Sequence, residues 1–131
     1  MKARWMLIMV VALAFSLVGG ATTAWANSDD QRITLTGSAA FPNAKGTAKY
    51  RDRGGEREFQ VEVENVRRLA GRTLSVFVNG NKVGSMTVNT LGEARFNRNT
   101  DLGQRVPVIR SGSRVQVKTA AGRLVVSGIF P

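Results

Sequence analysis

The 131-residue chain contains no cysteine and no histidine. Without thiols, no disulfide can brace the fold, so stability must come from a buried core. Without either residue, the usual Ser–His and Cys–His nucleophile pairs cannot be built. Zinc and copper sites lose their preferred donors for the same reason. A Ser–Lys dyad would need Lys45, Lys49, Lys82 or Lys118, and none sits in an S-x-x-K motif. Acidic residues are scarce, nine against nineteen Lys and Arg. The stretch "NRNTD" (Asn97 to Asp101) offers oxygen donors but one carboxylate, too few for a calcium loop. No cofactor is expected. Only three prolines occur, and no helical period of useful length runs through the chain.

One long apolar run is present, at the start. Lys2 and Arg4 precede "WMLIMVVALAFSLV" (Trp5 to Val18), which is followed by "ATTAWA". This is the tripartite pattern of a secretory signal peptide, with Ala24 and Ala26 as the small residues of the cleavage site. The apolar core of 14 residues is short for a bilayer span. Cleavage between Ala26 and Asn27 is expected, giving a signal peptide over 1–26 and a single β domain over 27–131. The absence of a following cysteine excludes lipoprotein processing. Export to the periplasm or the exterior of a bacterial cell is the expected destination, with no transmembrane segment after processing. Processing leaves 131 − 26 = 105 residues and removes two cations and no acid, so the side-chain balance becomes 17 − 9 = +8. Both tryptophans, Trp5 and Trp25, leave with the leader.

The remaining chain reads as short strands separated by turn signals: 32–37, 45–53, 56–66, 73–78, 83–89, 93–99, 114–119 and 123–130. Such spacing predicts an all-β fold, an antiparallel β-sandwich of the immunoglobulin-like type with seven or eight strands. In "KGTAKYRDRGGEREFQVEVE", Gly54-Gly55 forms a two-residue turn, so facing residues sum to 109. That register pairs Tyr50 with Phe59, Ala48 with Val61 and Gly46 with Val63 on the apolar face. On the other face it sets Arg53 against Glu56, Arg51 against Glu58 and Lys45 against Glu64, with Asp52 facing Arg57 near the turn. Two independent patterns thus select one register. Further on, "TLG" (Thr90 to Gly92) suits a three-residue hairpin loop pairing Val88 with Ala94, Met86 with Phe96 and Thr87 with Arg95. The turn at "NGNK" is open between a two-residue Asn79-Gly80 loop and an odd-length loop. The odd loop is preferred, because it sets Leu74 opposite Met86 or Val88 and keeps both apolar sets on one face.

The segments "AFPNAKGTAKYR", "LAGRTLSVFVNGNKVG", "TLGEARFN" and "GQRVPVI" resemble uncharacterised exported bacterial β-sandwich domains. The likeness covers nearly all of the processed chain and extends distantly to chordin-like (CHRD) domains. It implies a compact sandwich and carries no functional residues. The CHRD pattern has an H-x-H element after a strand like "VEVENV", and this chain has no histidine to match it.

What remains is charge. Of the 17 cations left after processing, 13 are arginine. From Asn65 to Pro131 the only acids are Glu93 and Asp101. Arginine suits bidentate contact with phosphate or carboxylate. Arg95, Arg98, Arg110 and Arg114 are therefore the candidate anion-binding residues of a non-catalytic, exported basic protein. Its expected role is binding or structural at the cell envelope, and its expected partners are an anionic envelope polymer or lipid headgroups. Nucleic acid is disfavoured because the aromatic residues of a stacking platform are missing. Solubility by net charge explains the same excess without any partner. The competing readings are a carboxylate-dependent hydrolase built on the Glu56–Glu64 strand, and a subunit that assembles edge to edge through open strands. In the strand register above, those glutamates face cations and alternate with the core, which is the pattern of a solvated strand face.

Overall fold

The computed structural model describes residues 30–131. The expected leader and its cleavage residues Ala24, Ala26 and Asn27 lie outside the described residues. Eight strands follow one another: β1 (Asp30–Gly37), β2 (Lys45–Arg53), β3 (Glu56–Glu64), β4 (Thr73–Val78), β5 (Asn81–Thr87), β6 (Ala94–Asn99), β7 (Arg114–Thr119) and β8 (Leu124–Ile129). Short 3-10 turns occur at Arg67–Leu69 and Thr100–Leu102. The fold is all-β and antiparallel, as expected. The strands form one sheet in the order β5-β4-β7-β8-β1-β2-β3-β6. The sheet curls until its two outermost strands meet, giving a nearly closed barrel-like arrangement.

The β2–β3 hairpin has the expected register at every position, from Lys45 opposite Glu64 to Arg53 opposite Glu56. Its inward residues Ala48, Tyr50, Phe59, Val61 and Val63 are all buried. Apolar alternation decides this register, since slipping β3 by one residue would turn Phe59, Val61 and Val63 into water.

Two expectations for the next strands need correction. The Asn79-Gly80 loop is the two-residue kind, with φ of 51° and 84° at its two positions. Val78 faces Asn81 and Phe77 faces Lys82, but beyond a register shift Val76 faces Gly84 and Leu74 faces Met86. Val83 is the extra residue of a β-bulge. Leu74–Met86 is one of the two pairings expected from an odd loop, and a bulge achieves it instead. The second correction concerns "TLG". The turn exists, with the Asn89 N–H donating to the Glu93 carbonyl at 2.8 Å. The strands on either side of it do not form a hairpin, so Val88–Ala94, Met86–Phe96 and Thr87–Arg95 are not partners. Strand β6 instead pairs with β3, setting Phe96 against Val61, Arg95 against Glu62 and Arg98 against Phe59. The free edge of β3 offers a full-length ladder and a matching row of glutamates, which a short local turn cannot outweigh.

Buried side chains fill the interior. Phe59, Val61, Leu74, Val76, Val115, Val117, Val125 and Val126 are each fully buried. Phe59 and Phe96 meet edge to face, with ring centroids 6.2 Å apart and planes at 71°, a geometry that aligns ring edge with ring face. The connection from β6 to β7 crosses one end of the sheet. Its Val106 and Ile109 are 3% and 7% exposed and close that end. Phe41, Ala44, Val66 and Leu69 are buried from the loops at the other.

Candidate anion-binding site

The end closed by Val106 and Ile109 gathers most of the candidate residues. The Asn79-Gly80 turn lies here and leads into Lys82. Arg114 begins β7 beside it: the Asn79 N–H donates to the Arg114 carbonyl at 2.9 Å, and the Arg114 N–H donates to Asn79 Oδ1 at 2.8 Å. Arg110 opens the preceding turn, where its N–H donates to the buried Ser113 Oγ at 2.8 Å. Arg110 and Arg114 are both exposed. Arg98 lies near the end of β6, opposite Phe59.

The four candidates differ in what surrounds them. Arg95 faces outward, and its guanidinium lies 2.9 Å from Glu62. The two side chains are 72% and 45% exposed, so the pair contributes at most about 1 kcal/mol, yet it meets that cation's charge at short range. Arg98 shares the inward parity of Ala94 and Phe96. Its guanidinium sits over the Phe96 ring, 5.3 Å from the centroid. It also borders Gly84 on the facing edge of β5. A Cβ on Gly84 would lie 2.8 Å from Phe96 Cζ and 3.2 Å from an Arg98 terminal nitrogen. Glycine is therefore what allows the two outermost strands to approach each other here. The half-buried Arg98 has no carboxylate partner among the described residues.

Arg98 opens into a cavity of about 230 Å³ lined by Lys82, Val83, Arg98, Arg105 and Pro107. Three cations and no acid form this lining. They come from β5, from β6 and from the connection after β6, and they meet only because the sheet curls. Lys82 and Arg105 were not singled out from the sequence, where they stand 16 and 7 residues from Arg98. A signal for the site did exist in the strand itself. Continuing the alternation Ala94, Phe96 places Arg98 on the inward face.

The carboxylates lie elsewhere. Glu58 is engaged by Arg51 at 2.5 Å and by the Asn97 amide at 2.9 Å. Glu56 and Asp101 meet by the Gly54-Gly55 turn, on the β2–β3 side of the same end, and Asp52 stands opposite Arg57. Glu56 titrates above its ordinary range because its side chain hydrogen-bonds Asp101 and feels that neighbouring carboxyl. No group of three or more metal-ligating side chains is found among the described residues. Phe77, outward by parity, is half-buried under the Lys118 ammonium, 5.0 Å from the ring centroid.

Behind the site, Arg57 ties the connection to β3. Its N–H donates to Thr100 Oγ1 at 2.9 Å, and its guanidinium donates to the Val106 carbonyl at 3.3 Å. The Arg57 Nε is buried without a partner. The Tyr50 hydroxyl is buried nearby and also makes no hydrogen bond. The Ile109 backbone lies close enough to ease the phenol's ionisation slightly, but not in hydrogen-bonding geometry. Burial dominates and raises the Tyr50 pKa above the ordinary phenol value.

No family model, curated protein or solved structure matches this chain.

Proposed function

We propose that this protein is an exported, non-catalytic β domain that binds anionic groups of the cell envelope, on a polymer or on lipid headgroups, through one basic end. One observation carries the reading. Lys82, Arg98, Arg105, Arg110 and Arg114 all belong to the same end of the sheet, and none has an ion-pair partner among the described residues. On the β2–β3–β6 face, by contrast, Arg51 and Arg95 are held by Glu58 and Glu62. Unpaired cations gathered at one place raise the local concentration of a polyanion and speed its capture. They also make binding fall with salt, because capture releases condensed counterions.

The test compares two quadruple variants on immobilised heparin. In one, Arg98, Arg105, Arg110 and Arg114 are replaced by Ser. In the other, Lys45, Lys49, Arg51 and Arg53 are replaced by Ser. Both remove four charges. The expected result is a salt slope flattened by several units in the first variant, at roughly 0.9 per phosphate-like contact for duplex-like polyanions, and a small change in the second. Equal losses would reduce the effect to net charge. No loss in either would assign the cations to solubility.

A further inference from the structure

We infer that the cleft where β5 and β6 meet holds a single phosphoryl group, presented as a phosphate monoester or diester, and that Arg98, Arg105 and Lys82 grip its oxygens. The inference rests on the anion-binding reading above and names the ligand class of one part of that surface.

Size comes first. The cavity of about 230 Å³ is smaller than the roughly 300–1,000 Å³ of pockets that take drug-sized molecules. It has room for one anionic group and a short substituent. Charge comes second. Three cations line it without a carboxylate, so an incoming anion displaces no internal partner. Arg98 is half-buried, and among the described residues its guanidinium meets the Phe96 ring and no carboxylate. Burying a cation costs free energy unless an opposite charge or several hydrogen bonds compensate it, and a bound anion supplies both.

Geometry selects the anion. The cations arrive from three separate segments, so their donors point inward from different directions. A carboxylate is planar, and a single arginine fork satisfies it. A tetrahedral phosphoryl group offers oxygens in several directions, and two guanidinium forks with one ammonium can each take a different edge. Val83 and Pro107 give the same cavity an apolar flank, which suits the carbon side of an ester. Position matters as well. Phe96 and Gly84 hold the Arg98 guanidinium in place, so less side-chain freedom is lost on binding than for a free surface arginine.

Two other cavities carry less. One, about 820 Å³, lies at the opposite end, where Arg67 and Arg68 share its lining with Glu93, and Arg68 already donates to the Ala40 carbonyl at 2.9 Å and covers Phe41. A second cavity beside Arg95 is lined by Glu62, Glu64 and Glu93, which repel an anion.

The experiment follows backbone amide NMR signals of the full chain at constant ionic strength, titrated with inorganic phosphate, then glycerol 3-phosphate, then acetate. Saturable shifts confined to Lys82, Val83, Arg98 and Arg105 with the two phosphates, and none with acetate, are expected. Arg98→Gln should weaken phosphate binding by about tenfold or more, the range of a lost charged hydrogen bond. Arg95→Gln should leave it unchanged. Because Arg98 also packs on Phe96, the Lys82→Gln/Arg105→Gln double variant is measured as well. Both of those side chains are exposed, so the fold is kept, and phosphate binding should fall at least as far. Acetate shifting the same signals as strongly as phosphate would overturn the assignment. So would unchanged binding in the double variant, or shifts spread evenly over every exposed cation. If heparin retention keeps its dependence on the basic end while phosphate fails to saturate, the anion-binding surface stands and the phosphoryl site falls. Vesicles of phosphatidylglycerol in phosphatidylcholine identify the source. Shifts of the same four signals, reversed by glycerol 3-phosphate, mark a lipid headgroup. Binding of the soluble ester without vesicle binding marks a polymer or free phosphate ester.

Discussion

Two regions of this molecule use the same residue types to opposite ends. On the outer face of β2, β3 and β6, arginines stand beside glutamates: Arg51 with Glu58, Arg95 with Glu62. At the mouth where β5 meets β6, Lys82, Arg98 and Arg105 stand together with no acid among them. A paired cation on an open face adds little stability and little attraction for a ligand, because its charge is already met. An unpaired one in a half-closed cleft keeps its field and concentrates it. Counting arginines along the sequence therefore overstates the unpaired charge in the first region and misses its convergence in the second.

Substitutions can break or sharpen this contrast, and the largest effect belongs to the core beneath both regions. Phe59 is 0% exposed, faces Arg98 across the ladder and packs on Phe96. Phe59→Ala should cost about 3–5 kcal/mol in chemical denaturation, and a loss below about 1 kcal/mol would refute the packing described. Next is the seam. Gly84→Val places carbon against the Phe96 ring and the Arg98 guanidinium, so it should destabilise by about 1–3 kcal/mol through overpacking. It should also displace Arg98 from its ring, visible as altered phosphate shifts in a variant that still folds. Unchanged stability would mean that β5 and β6 do not need the glycine contact.

Smaller effects follow. Tyr50 carries a buried hydroxyl with no partner, so Tyr50→Phe should keep or raise stability, by about 1 kcal/mol. The alkaline response has a definite sign. Burial raises the folded-state pKa above the ordinary 10.0, so the unfolded chain ionises first. The corresponding stability is complete below about pH 10 and is lost as pH rises through the folded-state value. Tyr50→Phe should shrink that loss, and an identical alkaline decline in both proteins would refute the assignment. The smallest effect is on the paired face. Glu62→Ala should cost under about 1 kcal/mol, and a double-mutant cycle with Arg95→Ala should give a coupling in the same range that fades in high salt. A coupling of several kcal/mol would make the paired face a structural clamp and erase the contrast.

Much of this was legible in the sequence, for reasons that differ by strand. The β2–β3 register could be read because apolar alternation and charge complementarity point to the same pairing. The partner of β6 could not, because inward parity says which side chains face the core and nothing about which neighbouring edge takes the hydrogen bonds. The Asn89–Glu93 turn has hairpin chemistry and still joins two strands at opposite ends of the sheet order. The bulge at Val83 was equally hidden. Parity demanded some irregularity between Val78 and Met86, and a tight Asn-Gly turn with one extra residue met the demand as well as a longer loop. Of the four candidate arginines, Arg98 could have been set apart by its inward position. The convergence of Lys82 and Arg105 on it depends on sheet curl, which no local pattern encodes.

The sheet order has one more consequence, for timing. Strand β1 is flanked by β8, with Thr36 opposite Ser127 and Gly37 opposite Val126. The strand nearest the start of the described fold thus waits for one of the last segments to emerge. Until then β1 has a free edge, and the β4–β5 hairpin has no ladder linking it to β2 and β3, because β7 and β8 form the bridge between them. Contacts this distant along the chain are slow to form, since loop closure must precede any gain from pairing. A chain that still lacks β7 and β8 therefore cannot complete the native sheet, and its early strands stay in two separate groups until the last segments join them.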